Sequence, residues 1–200
     1  PTISATLSSI TGSTLLTVTP PVLVSLSVTP ALDSIPAGRT KEFLAIRTFS
    51  DGSTDNTTTG VSWSSSNTAV ASISATGVAQ SYTKGSTTIT ASKGNITSKP
   101  PATLNVTDAV LVGIKVTPVN PTIVLGRTQQ FKAIGTYSDL SLIDITKDKA
   151  TWSSSDNRVA TIGANTGLAT SAFPGAVAGA TNITATWSGL SDNATLTVRE

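Results

Sequence analysis

The chain has 200 residues and a formal charge of +2, and it contains no Cys, no Met and no His. It therefore lacks the usual general base near neutral pH, the soft metal ligands and the thiolate nucleophile, and with Glu42 and Glu200 as its two glutamates any paired-carboxylate site would rest on aspartate. Scattered Lys and Arg leave no nucleic-acid footprint. No stretch reaches the roughly 18 apolar residues needed to cross a bilayer, and the N-terminus has no signal-peptide pattern. Ser and Thr make up about a third of the chain, beside many Val and Ile, a composition that favours an all-β fold over helices.

Residues 1–20 carry two short alternating runs, Thr2-Ile3-Ser4-Ala5 and Leu16-Thr17-Val18-Thr19. The same pair recurs as Thr88-Ile89-Thr90-Ala91 with Leu104-Asn105-Val106-Thr107, and again as Asn182-Ile183-Thr184-Ala185 with Leu196-Thr197-Val198. Residues 1–20 thus read as the closing strands of a repeat whose beginning is absent, in a window cut from a longer array.

Residues 21–108 and 109–200 read as two copies of one unit, offset by about 88 residues. Leu26-Ser27-Val28-Thr29-Pro30 returns as Ile114-Lys115-Val116-Thr117-Pro118, and Ala37-Gly38-Arg39-Thr40 returns as Leu125-Gly126-Arg127-Thr128. Phe43 matches Phe131, Ser50-Asp51 matches Ser138-Asp139, and Trp63-Ser64-Ser65-Ser66 matches Trp152-Ser153-Ser154-Ser155. Further along, Val70-Ala71 matches Val159-Ala160, and Thr76-Gly77-Val78-Ala79 matches Thr166-Gly167-Leu168-Ala169. Within a unit the apolar period is two, and Pro, Gly, Asn and Asp separate the runs, which predicts about seven short strands per unit. A two-sheet sandwich of immunoglobulin type follows from that count. Val106-Thr107-Asp108-Ala109-Val110 joins the copies without a Gly- or Ser-rich hinge, so a semi-rigid, end-to-end arrangement is expected.

These motifs, a β-branched run ending in Thr-Pro, Gly before a Phe-x-Ala strand, Tyr/Phe-Ser-Asp, Trp-Ser-Ser-Ser, Val-Ala and a closing Leu-x-Val, resemble the bacterial immunoglobulin-like group 2 domain. That family occurs in tandem in intimin- and invasin-like adhesins, other bacterial surface proteins and phage structural proteins. The resemblance implies tandem sandwiches, no shared active site, and a place outside the cell or on the bacterial surface.

Trp63 and Trp152 fall on inward positions and are expected to fill the space between sheets. Trp187 aligns with Lys93 and Leu7, so it is expected at a rim, as a candidate contact residue. Leu44, Ile46 and Ile134 fall on the outward phase and are candidates for lateral packing. Arg47 stands on an inward phase, where its stem is expected to lie along apolar surface and its head to reach water. Asp51, Asp55 and Asp108 are the carboxylates nearest a weak cation site, against the simpler reading of turn Asp capping its own backbone. No phosphate loop, nucleophile elbow or Ser-x-x-Lys motif stands in its required context.

The expected function is non-catalytic: no enzyme, no cofactor, and spacer repeats giving reach and tensile strength to a surface or secreted adhesin-like protein. The expected partners are neighbouring repeats of the same longer chain, with homo-polymeric or lateral self-association as a further partner class. The alternative is a subunit of an extracellular filament or phage virion assembled by β-strand completion, and a lower alternative is a carbohydrate-binding module built on Trp187.

Overall fold

The computed structural model describes residues 1–200 and is all-β, with no helix. Each unit is built on its own interior. Leu26, Val28, Phe43, Ala45, Ile89 and Leu104 lie at the centre of the first, and Val116, Phe131, Ala133, Ile145, Ile183 and Leu196 at the centre of the second. The two sets share no residue.

In the first unit, strand Leu23–Thr29 pairs antiparallel with Leu44–Phe49, which pairs on its other side with Thr54–Thr57. The facing sheet runs Leu32–Pro36, Ala102–Thr107, Gly85–Lys93, with Ser62–Ser65 and Ile96–Thr97 added along Gly85–Lys93. The second unit repeats the plan with Leu111–Thr117, Lys132–Tyr137 and Leu142–Asp144 against Thr122–Val124, Leu190–Arg199, Gly179–Trp187 and Thr151–Ser154. Eleven and ten strand segments replace the expected seven. One reason is that the opening strand breaks at Thr-Pro and changes sheets, pairing antiparallel before Pro30 and parallel to the closing strand after it. Another is a third, short ribbon in each unit, Thr40–Glu42, Val78–Ser81 and Ala71–Ile73 in the first.

The structure explains the Trp-Ser-Ser-Ser motif. Trp152 is buried with its ring centroid 6.4 Å from that of Phe131, and its indole N–H donates to the Thr146 carbonyl at 2.9 Å. The half-buried Trp63 does the same to Thr58 at 3.0 Å. The serines that follow converge on one buried threonine: the Thr181 hydroxyl lies 2.8 Å from Ser154 Oγ and 3.1 Å from Ser155 Oγ, and accepts from the Asp156 N–H at 2.9 Å. Thr87 does the same with Ser65, Ser66 and Asn67. Three short polar side chains thereby satisfy each other and a backbone donor at the edge of the core, where an orphaned group costs about 1–3 kcal/mol.

Strands Thr2–Leu7 and Ile10–Leu15 form an isolated hairpin whose residues are all exposed. Ile3, Ala5, Leu16 and Val18 stand where Ile183, Ala185, Leu196 and Val198 are buried in the second unit. A lone hairpin of this kind is marginal in water, and its apolar positions match an interior that it does not itself build.

Candidate functional site

No cluster of three or more His, Cys, Asp or Glu side chains forms anywhere in the structure. Asp51 caps its own turn, accepting from the Ser53 hydroxyl at 2.6 Å and N–H at 3.0 Å, and those bonds hold its carboxyl below the ordinary value of 3.8. Asp139 repeats this with Ser141. Asp55 is engaged by Arg47, which donates from Nε at 2.7 Å and Nη2 at 2.6 Å and lowers the Asp55 pKa. Asp108 pairs with Lys84 at 2.7 Å. The three candidate cation ligands are therefore each committed to a different neighbour.

The other candidate residues are dispersed. Trp187 ends its strand opposite Leu190, beside the turn at Ser188 and Gly189, with 36% of its surface exposed. Leu44, Ile46 and Ile134 are half-buried on the outward faces of the middle strands. Their cross-strand neighbours are polar: Thr29 for Leu44, Ser27 and Asn56 for Ile46, Lys115 and Asp144 for Ile134. Arg47 behaves as its stem and head dictate, with its guanidinium carbon 5.7 Å from the Phe49 ring centroid and its tip at Asp55.

The place where chemistry from both units meets is their junction. Thr107 ends the closing strand of the first unit and Leu111 opens the second, leaving Asp108, Ala109 and Val110 between them. Ala109 packs against the first core. Val110 is held from the second side, accepting from the Ser138 N–H at 2.8 Å while its own N–H donates to Ser138 Oγ at 3.1 Å. That hydroxyl then donates across the junction to the Ala37 carbonyl at 2.6 Å, and Ser138 is buried there.

The accepting turn is itself braced. Ala37 N–H donates to Thr107, Gly38 N–H to the Ser81 carbonyl at 3.1 Å, and Arg39 N–H to Ser81 Oγ at 3.0 Å. Gly38 adopts φ +82°, and a Cβ placed on it would overlap the Ser138 carbonyl, so the two backbones touch because this residue has no side chain. Both halves of the junction were visible as recurring motifs, Ala-Gly-Arg-Thr and Ser-Asp. What the sequence alone did not show is that the first motif of one copy meets the second motif of the next.

Beside the junction, Leu140 sits in the left-handed region at φ +68° with its side chain exposed, at the position that Gly52 occupies with φ +81° in the first unit. It shares an open cleft with Tyr82, Gln80 and Ser138. A leucine there carries about 1–2 kcal/mol of backbone strain, part of which the looser unfolded chain of a glycine would offset. Leu140→Gly is thus expected to stabilise the second unit by about 1 kcal/mol in urea denaturation. A loss of stability instead would show that the leucine side chain makes a compensating contact.

The match to a family model agrees with two copies of one domain. The family model described as bacterial Ig-like domain (group 2) matches residues 23–104 and 111–198. Over 189 residues the chain is 43% identical to Ice-binding protein 1 of Shewanella frigidimarina, covering 94% of this chain and 20% of that protein, so it spans about a fifth of the length of that relative. Among solved structures it is similar to the Escherichia coli adhesin FdeC (15% identity, 90% of this chain and 66% of that one, TM-score 0.42). It is also similar to domains 4–9 of the surface layer protein SbsC (19% identity, 99% and 35%, TM-score 0.42). The chain belongs to the bacterial Ig-like domain (group 2) family, whose model it matches twice.

Proposed function

We propose that these repeats are a non-catalytic spacer in a larger bacterial surface or secreted protein, holding a binding module at a distance and transmitting tension to it. The observation that carries this reading is the braced junction: a three-residue linker fixed by Ala109 on one side and Val110 on the other, with a direct Ser138–Ala37 hydrogen bond between units. A chain jointed this way keeps its units at a set separation instead of letting them tumble.

The strand plan suits load. In the first unit Leu32–Pro36 runs parallel to Ala102–Thr107, so pulling the N-terminal end of one against the C-terminal end of the other shears the ladder and loads its bonds together. Each is worth about 1 kcal/mol net. The second unit's ladder is regular only over Thr122–Val124 against Thr197–Arg199, because Pro121 stands where the first unit has Asp33 and has no N–H to donate; beyond it the Pro121 and Val119 carbonyls still accept from Thr197 and Thr195, so the second ladder is weaker by that missing donor. Single-molecule pulling of the chain is therefore expected to give two unfolding events, the weaker belonging to residues 111–198. If the first unit yields at lower force, the ladder does not bear the load.

The relative's name gives a direct test of where binding resides. Residues 1–200 alone are expected to stay in the liquid when a dilute solution is slowly frozen against a seeded ice surface. Incorporation into the ice would make the repeats themselves the binding element and overturn the spacer reading.

A second reading is favoured by one feature. The exposed apolar face of the Thr2–Leu15 hairpin, with Leu16 and Val18 just beyond it, would let a partner complete a sheet. Concentration-dependent polymers in sedimentation velocity, lost on deleting residues 1–20, would establish that role.

A further inference from the structure

The junction is made from two parts, and each part is present a second time without its mate. The donating part is a Ser-Asp corner locked to the linker. In the second unit, Ser138 N–H donates to the Val110 carbonyl at 2.8 Å and Val110 N–H to Ser138 Oγ at 3.1 Å. In the first unit, Ser50 N–H donates to the Val22 carbonyl at 2.9 Å and Val22 N–H to Ser50 Oγ at 3.1 Å. Asp51 then caps Ser53 as Asp139 caps Ser141. The Ser138 hydroxyl proton is spent on Ala37, whereas that of Ser50 has no acceptor in the chain.

The accepting part is the glycine turn. Leu125 N–H donates to the Arg199 carbonyl at 2.7 Å, as Ala37 N–H does to Thr107 at 3.1 Å. Ser171 Oγ donates to the Arg127 carbonyl at 3.1 Å, as Ser81 Oγ does to Arg39 at 2.8 Å. Gly126 has φ +83° against +82° for Gly38, yet nothing lies within 4 Å of where its Cβ would be. Spacing agrees as well. Four residues separate Val18 from Leu23, as four separate Val106 from Leu111, and the first set includes Pro20 and Pro21, which stiffen it.

We propose that the Leu125–Gly126 turn is a socket for the Ser-Asp corner of another repeat of this kind, and that the Ser50 corner is the matching plug for a repeat ahead of it. The hydroxyl-to-carbonyl bond seen between Ser138 and Ala37 then recurs at every junction, and the rotation from one repeat to the next is the same along the series. This deepens the spacer reading and rests on it, since it needs repeats in series. The occupant is another Ig-like repeat because the mate seen on the first socket is one, and because the corner contributes only backbone and a serine hydroxyl, groups that a copy supplies in the same geometry.

The test adds residues 21–200 directly after Glu200 of the full chain. The new linker, Arg199, Glu200, Pro21 and Val22, has the same count as Thr107 to Val110. The chain has no cysteine, so pairs of introduced cysteines can carry spin labels across either junction. The new junction is expected to give a distance distribution as narrow as the existing one. Gly126→Asn in the first copy adds a Cβ while tolerating the left-handed turn, and Ser50→Ala in the added copy removes the plug's hydroxyl. Each is expected to broaden the new junction about twofold, toward the freedom of an unbraced four-residue linker, whose root-mean-square end-to-end distance is ~11 Å, and to leave the existing junction and the melting of both units unchanged. Gly38→Asn is expected to do the reverse. A broad new junction without substitutions, or no response to Gly126→Asn and Ser50→Ala, overturns the proposal. A narrow junction in a chain that enters ice would leave the socket standing and remove the spacer role.

Discussion

Phe131→Ala is expected to unfold the second unit at a temperature where the first stays folded. The Phe131 ring has no exposed surface and sits 6.4 Å from that of Trp152, and its backbone, between strands Thr128–Gln130 and Lys132–Tyr137, donates its N–H to the Gly167 carbonyl at 2.8 Å. Truncating a buried phenylalanine costs about 3–5 kcal/mol, whereas a unit of this size has roughly 5–13 kcal/mol in total. The variant therefore loses a large share of its margin. Because the two interiors share no side chain, the loss has no path into the first unit except the junction. Phe43→Ala is expected to do the converse. Trp63 reports on the first unit and Trp152 with Trp187 on the second, so fluorescence of single-tryptophan variants during thermal unfolding separates the transitions. If Phe131→Ala lowered both midpoints equally, the cores would be coupled and the chain would be one folding unit.

The residues that carry this prediction were legible because a sandwich strand writes its burial in alternation. Phe131, Ala133, Gly135 and Tyr137 alternate with Lys132, Ile134 and Thr136, and the structure buries the first three and half-buries Tyr137 at the strand end. Trp152 was legible for the same reason. The third ribbon was not, because Thr40–Glu42 and Ala71–Ile73 are three residues each, too short for a period to show, and are fixed by the glycine turns around them. Nor was the junction. Hydrophobic patterning reports what a unit hides from water, while Ser138 and Gly38 meet through one hydroxyl, one carbonyl and a missing side chain, none of which alters a pattern of apolar residues. Arg47 lies between these cases: its polarity conflicted with its inward phase, and the conflict resolved by snorkelling to Asp55, while the bulge beside it at Leu23/Ser25 recurs at Leu111/Gly113 in the second unit, where glycine replaces the arginine.

Glycine offers the sharpest separation of backbone strain from packing, through two residues of one unit that share a positive φ. Gly52 and Gly77 have φ of +81° and +79°. Around Gly52 nothing lies within 4 Å of an added Cβ, so Gly52→Ala pays only for the left-handed backbone, about 1 kcal/mol. Gly77 is wedged between the Phe43 carbonyl, 2.5 Å from the Cβ position, and the Trp63 ring, at 3.1 Å, and its own carbonyl accepts from Phe43 N–H at 2.8 Å. An added methyl must push against backbone that is itself held by that hydrogen bond, and against a ring pinned through its N–H to Thr58. Overpacking adds about 1–3 kcal/mol to the strain, so Gly77→Ala is expected to cost roughly 2–4 kcal/mol in total. Urea denaturation of both variants, followed at Trp63, measures the difference directly. Equal losses would mean that the short ribbon gives way freely and that the glycine is required for the turn alone. A gap of 1 kcal/mol or more, as expected from overpacking, would show that Phe43, Gly77 and Trp63 are one packed unit in the first repeat; in the second, Gly167 meets the Phe131 carbonyl in the same way but Thr146 and Gln130 in place of the tryptophan.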